Sequence, residues 1–345
     1  MRILTAVVAV AVLAAGCEDR DDGALSEDRA AAIRDSVAAF LAAWSEGAGP
    51  GEWDRPGERY AEDPRLRSGP SDSVRVIFVT GSTDGLGREV ARRLAGGGDH
   101  VIVHGRDVER GRALVREIEA STPGAAAFYR ADFAALANVR ELAAAVRRDY
   151  DRLDVLVNNA GILTSPDRRP VSSDGYELHF QVNYLSGYLL TRLLLPLLRE
   201  SAPARVVNVS SRSSAPLDFD DLMLEQGYSA GRAYGQSKLA QVMSTFSLAE
   251  ELEGTGVTVN AVHPATLMDT DLVTDMGMEP RSTVEEGAQA VLHLIDGDDV
   301  GSGHFYRVTS RSRAHEQAYD ADVRRRLEAV SRELTGLPPD TADGP

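Results

Sequence analysis

Val74-Arg75-Val76-Ile77-Phe78-Val79-Thr80-Gly81-Ser82-Thr83-Asp84-Gly85-Leu86-Gly87 passes from a β-branched apolar run into a glycine-rich turn, and a helical pattern follows it as far as Leu94. Strand, tight turn and helix in that order give the turn a physical use. Gly81, Gly85 and Gly87 let the backbone approach a pyrophosphate and let the helix pack closely. The helix N-terminus adds free N–H groups and partial positive charge. A purely structural glycine turn has the same local signature, so the rest of the chain has to decide between the two.

Downstream, strand and helix patterns alternate. Strands are expected over 100–104, 125–130, 153–157, 205–210, 257–262 and 304–308. Helices are expected over 108–122, 136–150, 175–198 and 284–294, and from Tyr234 to about Leu252. Apolar strands without polar alternation belong to a sheet covered on both sides. The expectation is an α/β fold: a single Rossmann-type, doubly wound parallel sheet with helices on both faces, binding ligands at the carboxyl ends of its strands. Residues 73–315 would form this domain. Before it lie a signal-like apolar segment (1–20) and an acidic helix and linker (21–72), a short N-terminal helical appendage; after it comes a charged helix and tail (316–345).

Composition narrows the function. Of 345 residues, 43% are hydrophobic and 26% charged, ordinary for a soluble globular chain. The net charge of −16 argues against nucleic acid and anionic membrane surfaces as partners. Cys17 is the only cysteine and the histidines are scattered, so neither a disulfide nor a metal site is expected. The apolar run 3–15 behind Arg2 is too short for a mature spanning helix, which takes about 20 residues, and fits a secretory h-region. Within 21–72, Ile33, Val37, Phe40, Leu41 and Trp44 recur at helical spacing, and glycines and prolines mark the remainder as linker.

Ala233-Tyr234-Gly235-Gln236-Ser237-Lys238 puts a tyrosine and a lysine four apart on one helix face. A tyrosine hydroxyl ordinarily titrates near pH ~10. A neighbouring ammonium and a cationic cofactor ring would favour the phenolate, and a downward shift of about two to three units takes roughly 2.7–4 kcal/mol. The same pair also arises by chance on exposed helices. The second strand of the alternating set ends at Gly105-Arg106, where an NAD enzyme places a carboxylate for the ribose hydroxyls. A guanidinium there can instead grip a 2′-phosphate bidentately. NADP(H) is therefore expected over NAD(H), the alternative for Arg106 being a solvated loop charge.

Over 73–309 these features, in this order, resemble the short-chain dehydrogenase/reductase superfamily. The resemblance implies a cofactor loop of Gly81, Ser82, Asp84, Gly85, Leu86 and Gly87, and an adenine contact at Asp132 and Phe133. It implies further cofactor contacts from Asn159, Ala160 and Gly161 after the fourth strand and from Pro264, with Tyr234 and Lys238 also touching the dinucleotide. Asn183 in Gln181-Val182-Asn183-Tyr184-Leu185 and Ser211 after Val206-Val207-Asn208-Val209-Ser210 would complete a catalytic tetrad with Tyr234 and Lys238. In this tetrad Lys238 lowers the Tyr234 pKa and bonds the nicotinamide ribose, and Asn183 holds a water linking Lys238 to solvent. The 23-residue interval from Ser211 to Tyr234, the stretch His100 to Asp107, and Asp174-Gly175-Tyr176-Glu177 resemble the retinol-dehydrogenase-like branch. Ala265 departs from the glycine the family commonly has after His263-Pro264, and Thr270 falls late in that loop.

The implied reaction is hydride transfer between a nicotinamide and a small-molecule carbonyl or alcohol. The loops 212–232 and 265–281 carry Leu217, Phe219, Leu222, Met223, Leu224, Leu267, Met268 and Met276, so an apolar substrate is expected. A non-catalytic dinucleotide-binding regulator on the same fold is the alternative of a different class. Leu13-Ala14-Ala15-Gly16-Cys17 resembles a bacterial lipoprotein signal, which implies lipidation of Cys17 and membrane attachment by that anchor alone. A surface-anchored binding module is then a third reading, and a cytoplasmic reduced-nicotinamide pool pulls the other way. The helix with Trp44, Trp53 and Tyr60 resembles the opening of a truncated nuclear-transport-factor-2-like domain. A homo-oligomer is left open.

Overall fold

The computed structural model describes residues 59–60, 74–164 and 168–339. The signal-like segment with Cys17, the helix expected within 30–44, and residues 340–345 lie outside them. Nine strands form one sheet: β1 (Arg59–Tyr60), β2 (Val76–Val79), β3 (His100–Gly105), β4 (Ala125–Arg130), β5 (Val155–Asn158), β6 (Ala204–Val209), β7 (Val257–His263), β8 (His304–Arg307) and β9 (Ser310–Ser312). The helices are α1 (Gly85–Gly96), α2 (Val108–Ser121), α3 (Leu136–Asp149), α4 (Leu178–Phe180), α5 (Ser186–Glu200), α6 (Ala230–Glu251), α7 (Asp271–Thr274), α8 (Val284–Asp296) and α9 (Ala321–Thr335).

The strand order is β1-β4-β3-β2-β5-β6-β7-β8-β9, parallel from β4 through β8. The chain starts at β2, winds outward to β4, and returns to lay β5 on the other side of β2. The crevice where the winding reverses is where such sheets hold ligands. Within β2, Val76 and Phe78 face a core built with α3, α5, α6 and α9, while Ile77 and Val79 face one built with α1, α2 and α8. This is why the strand reads as continuously apolar: both pleat faces are covered.

Three expectations need correction. The stretch read as linker contains β1, paired antiparallel with β4 through Arg59↔Tyr129 and Tyr60↔Phe128. The strand expected last, over 304–308, is followed by β9, an antiparallel partner joined by the two-residue turn Val308-Thr309. Val308 takes φ 57° there, a conformation costly for a β-branched residue, and it is why the turn lacks the usual glycine signal. The helix expected over 175–198 starts only at Leu178, because Gly175 sits at φ 87° and the Glu177 side chain caps Phe180 N–H. It then widens into a π-turn over Gln181–Leu185 before α5.

Close layer packing depends on small residues at the contacts. A Cβ built on Gly111 of α2 would lie 2.4 Å from the Phe128 ring on β4. Gly111→Val should therefore force α2 off the sheet and lower stability by about 1–3 kcal/mol in urea unfolding. An unchanged midpoint would mean that Phe128 can swing clear.

Candidate active site

The carboxyl ends of the parallel strands open into a cleft of about 1620 Å³, larger than a single small-ligand pocket of about 300–1,000 Å³. At the reversal point β2 and β5 are stapled together. Thr80 Oγ1 donates to Val157 O and accepts from the N–H groups of Asn159 and Ala160, each at 3.0 Å. The Asn159 side chain donates to the carbonyls of Thr80 and Gly81. A Cβ on Gly81 would lie 2.8 Å from Ala160 Cα, and one on Gly87 only 2.3 Å from Gly81 O, so only glycine permits this approach. Asp84 caps α1 through Gly85 N–H, and the next first-turn N–H groups, having no intrahelical acceptors, face outward for an anion.

Gly81, Asp84, Gly85, Leu86, Gly87, Arg106, Asp132, Phe133, Asn159, Ala160, Gly161 and Pro264 all line the cleft. Ser82 does not: it is fully buried, donating through Oγ to Val79 O and accepting from His104 N–H. Thr83 takes the cleft-facing place instead. A Cβ at Gly105 would lie 2.5 Å from the Thr83 side chain, which explains why no carboxylate can stand at the end of β3. Arg106 is exposed on the cleft wall and makes no side-chain ion pair or hydrogen bond among the described residues. These residues fit a dinucleotide.

Ser211, Tyr234 and Lys238 line the other end of the cleft, and Asn183 is buried behind its wall, next to Gly161. Tyr234 is half-buried, and Ser211 hydrogen-bonds its hydroxyl. Lys238 Nζ lies 5.9 Å from the Tyr234 ring centroid and donates to Val209 O at 2.8 Å and Gln241 Oε1 at 3.4 Å. Asn183 is held in the π-turn: its Nδ2 donates to Ile162 O and to Ser237 Oγ, and its Oδ1 accepts from Ile162 N–H. Ser237 in turn donates to Tyr234 O.

The expectation is that the Lys238 ammonium and a cationic cofactor ring together depress the tyrosine; the protein's own groups act the other way. Burial pushes the Tyr234 pKa above its ordinary value, and the Ser211 hydrogen bond only partly opposes this. Burial also brings Lys238 down to about 8. The lysine is directed at a backbone carbonyl rather than at the phenolic oxygen, so a lowered tyrosine pKa would need the cofactor's charge as well.

Several site residues escaped the sequence reading. His104 is buried, stacks on Phe133 at 4.4 Å, accepts from Gly81 N–H through Nδ1 and bonds Ala131 O through Nε2. Burial, its main influence, holds its pKa down to about 4, so it stays neutral and ties three dinucleotide loops together. Glu177 and His179, both buried, pair at 2.8 Å, and His179 Nε2 accepts from Thr164 N–H on the cleft wall. The apolar residues of the loops 212–232 and 265–281 divide between core and cleft. Leu217, Leu222 and Leu224 are core residues, and of the eight named only Leu267, Met268 and Met276 line the cleft. One signal was in plain view: Lys238 is the only lysine in the chain, the other 36 Lys or Arg residues all being arginine.

A doubly wound sheet with a glycine cradle at its reversal point is the architecture of dinucleotide-dependent oxidoreductases. The family model for short chain dehydrogenases matches residues 75–280. Human retinol dehydrogenase 11 is 37% identical over 304 residues, covering 81% of this chain and 95% of that protein. Among solved structures, a short-chain dehydrogenase from Shigella flexneri 2a complexed with NADP superposes with a TM-score of 0.57 at 27% identity, covering 68% of this chain and 97% of that one. The Pseudomonas aeruginosa RhlG complex with NADP gives 0.56 at 29% identity, covering 68% and 94%. The chain belongs to the short-chain dehydrogenase/reductase superfamily, in its retinol-dehydrogenase-like branch. It is accordingly an oxidoreductase acting on alcohol or carbonyl groups of small molecules with a nicotinamide dinucleotide. Among the described residues, no group of His, Cys, Asp or Glu could hold a metal and no helix is long and apolar enough to cross a membrane.

The depressed Lys238 pKa has a sign that can be checked. Its folded value, about 8, lies below the ordinary 10.5, so between those values the unfolded chain binds the extra proton. Wild-type stability should then gain on the order of 3 kcal/mol from this group as pH rises through that window, and no other lysine titrates alongside it. In paired urea unfolding curves, the stability of wild type relative to Lys238→Met should rise by that amount from pH 8 to 10.5. A difference that does not change with pH would show an amine titrating as in water.

Proposed function

We propose that this oxidoreductase works with NADP(H) and that Asn183, Ser211, Tyr234 and Lys238 carry the reaction. When bound, the nicotinamide supplies the hydride to the carbonyl carbon, or takes it back from the alcohol. Tyr234 acts as the general acid in reduction: its O–H passes a proton to the carbonyl oxygen as the carbon gains the hydride, so C=O becomes CH–OH. Its raised pKa keeps that proton in place until the oxygen turns basic. Ser211 donates to the same oxygen as negative charge develops on it.

Lys238 stabilises the phenolate left behind, and an amine titrating near 8 can take up or release the balancing proton close to neutral pH. Asn183 positions Ser237 and so the first turn of α6, which carries Tyr234. The observation that carries this reading is the chain's single lysine, buried beside the tyrosine. A guanidinium stays charged at any working pH and could not exchange a proton in this way.

NADP(H) rests on Arg106, unpaired on the cleft wall beside a Gly105 that admits no carboxylate, and on the NADP carried by similar solved structures. Tyr234→Phe should abolish NADPH-dependent reduction while leaving NADPH binding nearly intact by fluorescence titration; substantial residual turnover would remove Tyr234 from the acid role. Arg106→Ala should raise KM for NADPH by about tenfold or more, with KM for NADH little changed. Equal effects on both cofactors would place Arg106 away from the 2′-phosphate.

A further inference from the structure

The cleft carries cations beside its apolar lining. Arg212, Arg307 and Arg313 line it, all three exposed, and none pairs with a carboxylate among the described residues. Topology puts the first two together. Arg212 follows Ser211 just past the end of β6, His263 ends β7, and Arg307 ends β8 as the direct cross-strand partner of His263. Two inter-strand spacings, about 10 Å, separate the β6 and β8 ends. Arg313 follows β9, which folds back on β8 with Phe305 opposite Ser312.

Three features make this arc hard to read as ordinary solvated surface. The chain holds 53 acidic residues against 37 basic ones, yet among the described residues no Asp or Glu pairs with these guanidiniums. The carboxylates on the cleft wall are Asp84, Asp107, Asp132, Asp271 and Asp275, on the dinucleotide loops and α7, where Arg110 already spans Asp84 and Asp271. Second, the positive field is felt inside the cleft. His263 is pushed down to about 4, first by burial and then by Arg212 and Arg307, so it stays neutral between them and adds no charge of its own. Third, Arg307 is presented by a strained turn: Val308 is held at φ 57° with its N–H on His263 O. Strain of this kind persists where the surroundings over-determine it, and functional sites are where it collects.

Building on the reductase reading above, we propose that the substrate is an amphipathic anion: a carbonyl or alcohol compound whose carboxylate, sulfonate or phosphate seats on Arg212, Arg307 and Arg313. Its apolar body lies against Leu163, Val182, Leu267, Met276 and Phe305, which line the same cleft. The carbonyl end reaches Tyr234 and Ser211. Planar guanidiniums suit this task because each can donate two parallel hydrogen bonds to an oxyanion. An anion also completes what the fold leaves open: Arg212 and Arg307 flank His263 without a carboxylate partner among the described residues, and Arg313, stacked on Tyr319 at 4.9 Å, borders the same cleft.

The test uses terephthalaldehydic acid and its methyl ester, an aldehyde pair differing in one negative charge, with NADPH and the full chain. Wild type should reduce the acid with kcat/KM about tenfold or more above the ester, and the ratio should shrink as salt is raised. In the double variant Arg307→Gln, Arg313→Gln the ratio should fall toward one, mainly through KM for the acid. A wild-type ratio near one, or a ratio the double variant leaves unchanged, overturns the anionic class. Calorimetric titration of the NADP-bound protein with benzoate and with benzamide reads the same preference without turnover. Tighter benzoate binding that the double variant abolishes supports the arginine seat even if neither aldehyde is reduced, an outcome that would count against the reductase reading alone. Equal binding of benzoate and benzamide removes the seat.

Discussion

The joint between β2 and β5 is the constraint on which the rest of the molecule depends. Thr80 and Asn159 cross-link the two strand ends with five hydrogen bonds that use backbone and side chain alike. Buried polar groups at the end of a sheet must find partners or lose the desolvation energy of each group, about 1–3 kcal/mol. Here they find one another, and Gly81 and Ala160 are drawn into backbone contact. The glycine loop, the mouth of the cleft and the start of α1 follow from that contact. His104 extends the joint to the third loop, so the dinucleotide cradle is held as one unit before any ligand arrives.

The architecture was legible because the parallel strands have both faces covered. Val76–Val79, His100–Gly105 and Ala125–Arg130 read as apolar runs, since every pleat position meets a helix layer. What escaped lies where local signals are weak or misleading. The β8–β9 turn carries Val-Thr in place of Asn-Gly. The π-turn depends on Asn183 reaching across to Ile162, a contact between segments distant in sequence. The apolar residues of 212–232 looked like a substrate lid because composition cannot tell a lid from a core insertion, and Leu217, Leu222 and Leu224 belong to the core. The Tyr234 pKa shows a related limit: the spacing of Tyr and Lys gives adjacency, whereas burial decides the direction in which the protein's own groups push it.

The two halves of the cleft have different electrostatic designs. On the dinucleotide side, acidic loop residues and Arg110 compensate one another, leaving Arg106 as the unpaired cation. On the substrate side, Arg212 and Arg307 flank a histidine that burial keeps neutral. Net charge describes the long-range field of the whole protein, and it says little about a cleft where three or four guanidiniums dominate within a Debye length.

The composition that singles out Lys238 has a chemical corollary. A chain with one ε-amine, and that one buried in the wall of its cleft, offers amine-directed reagents almost nothing to attack on its described surface. Acylating agents, aldehydes and succinimidyl cross-linkers, which decorate most proteins at many exposed lysines, would find here the chain's α-amine and a single sheltered nitrogen. The chain thus carries its own site-selective address for covalent chemistry, and a reagent small enough to enter the cleft would write its mark on Lys238, beside Tyr234.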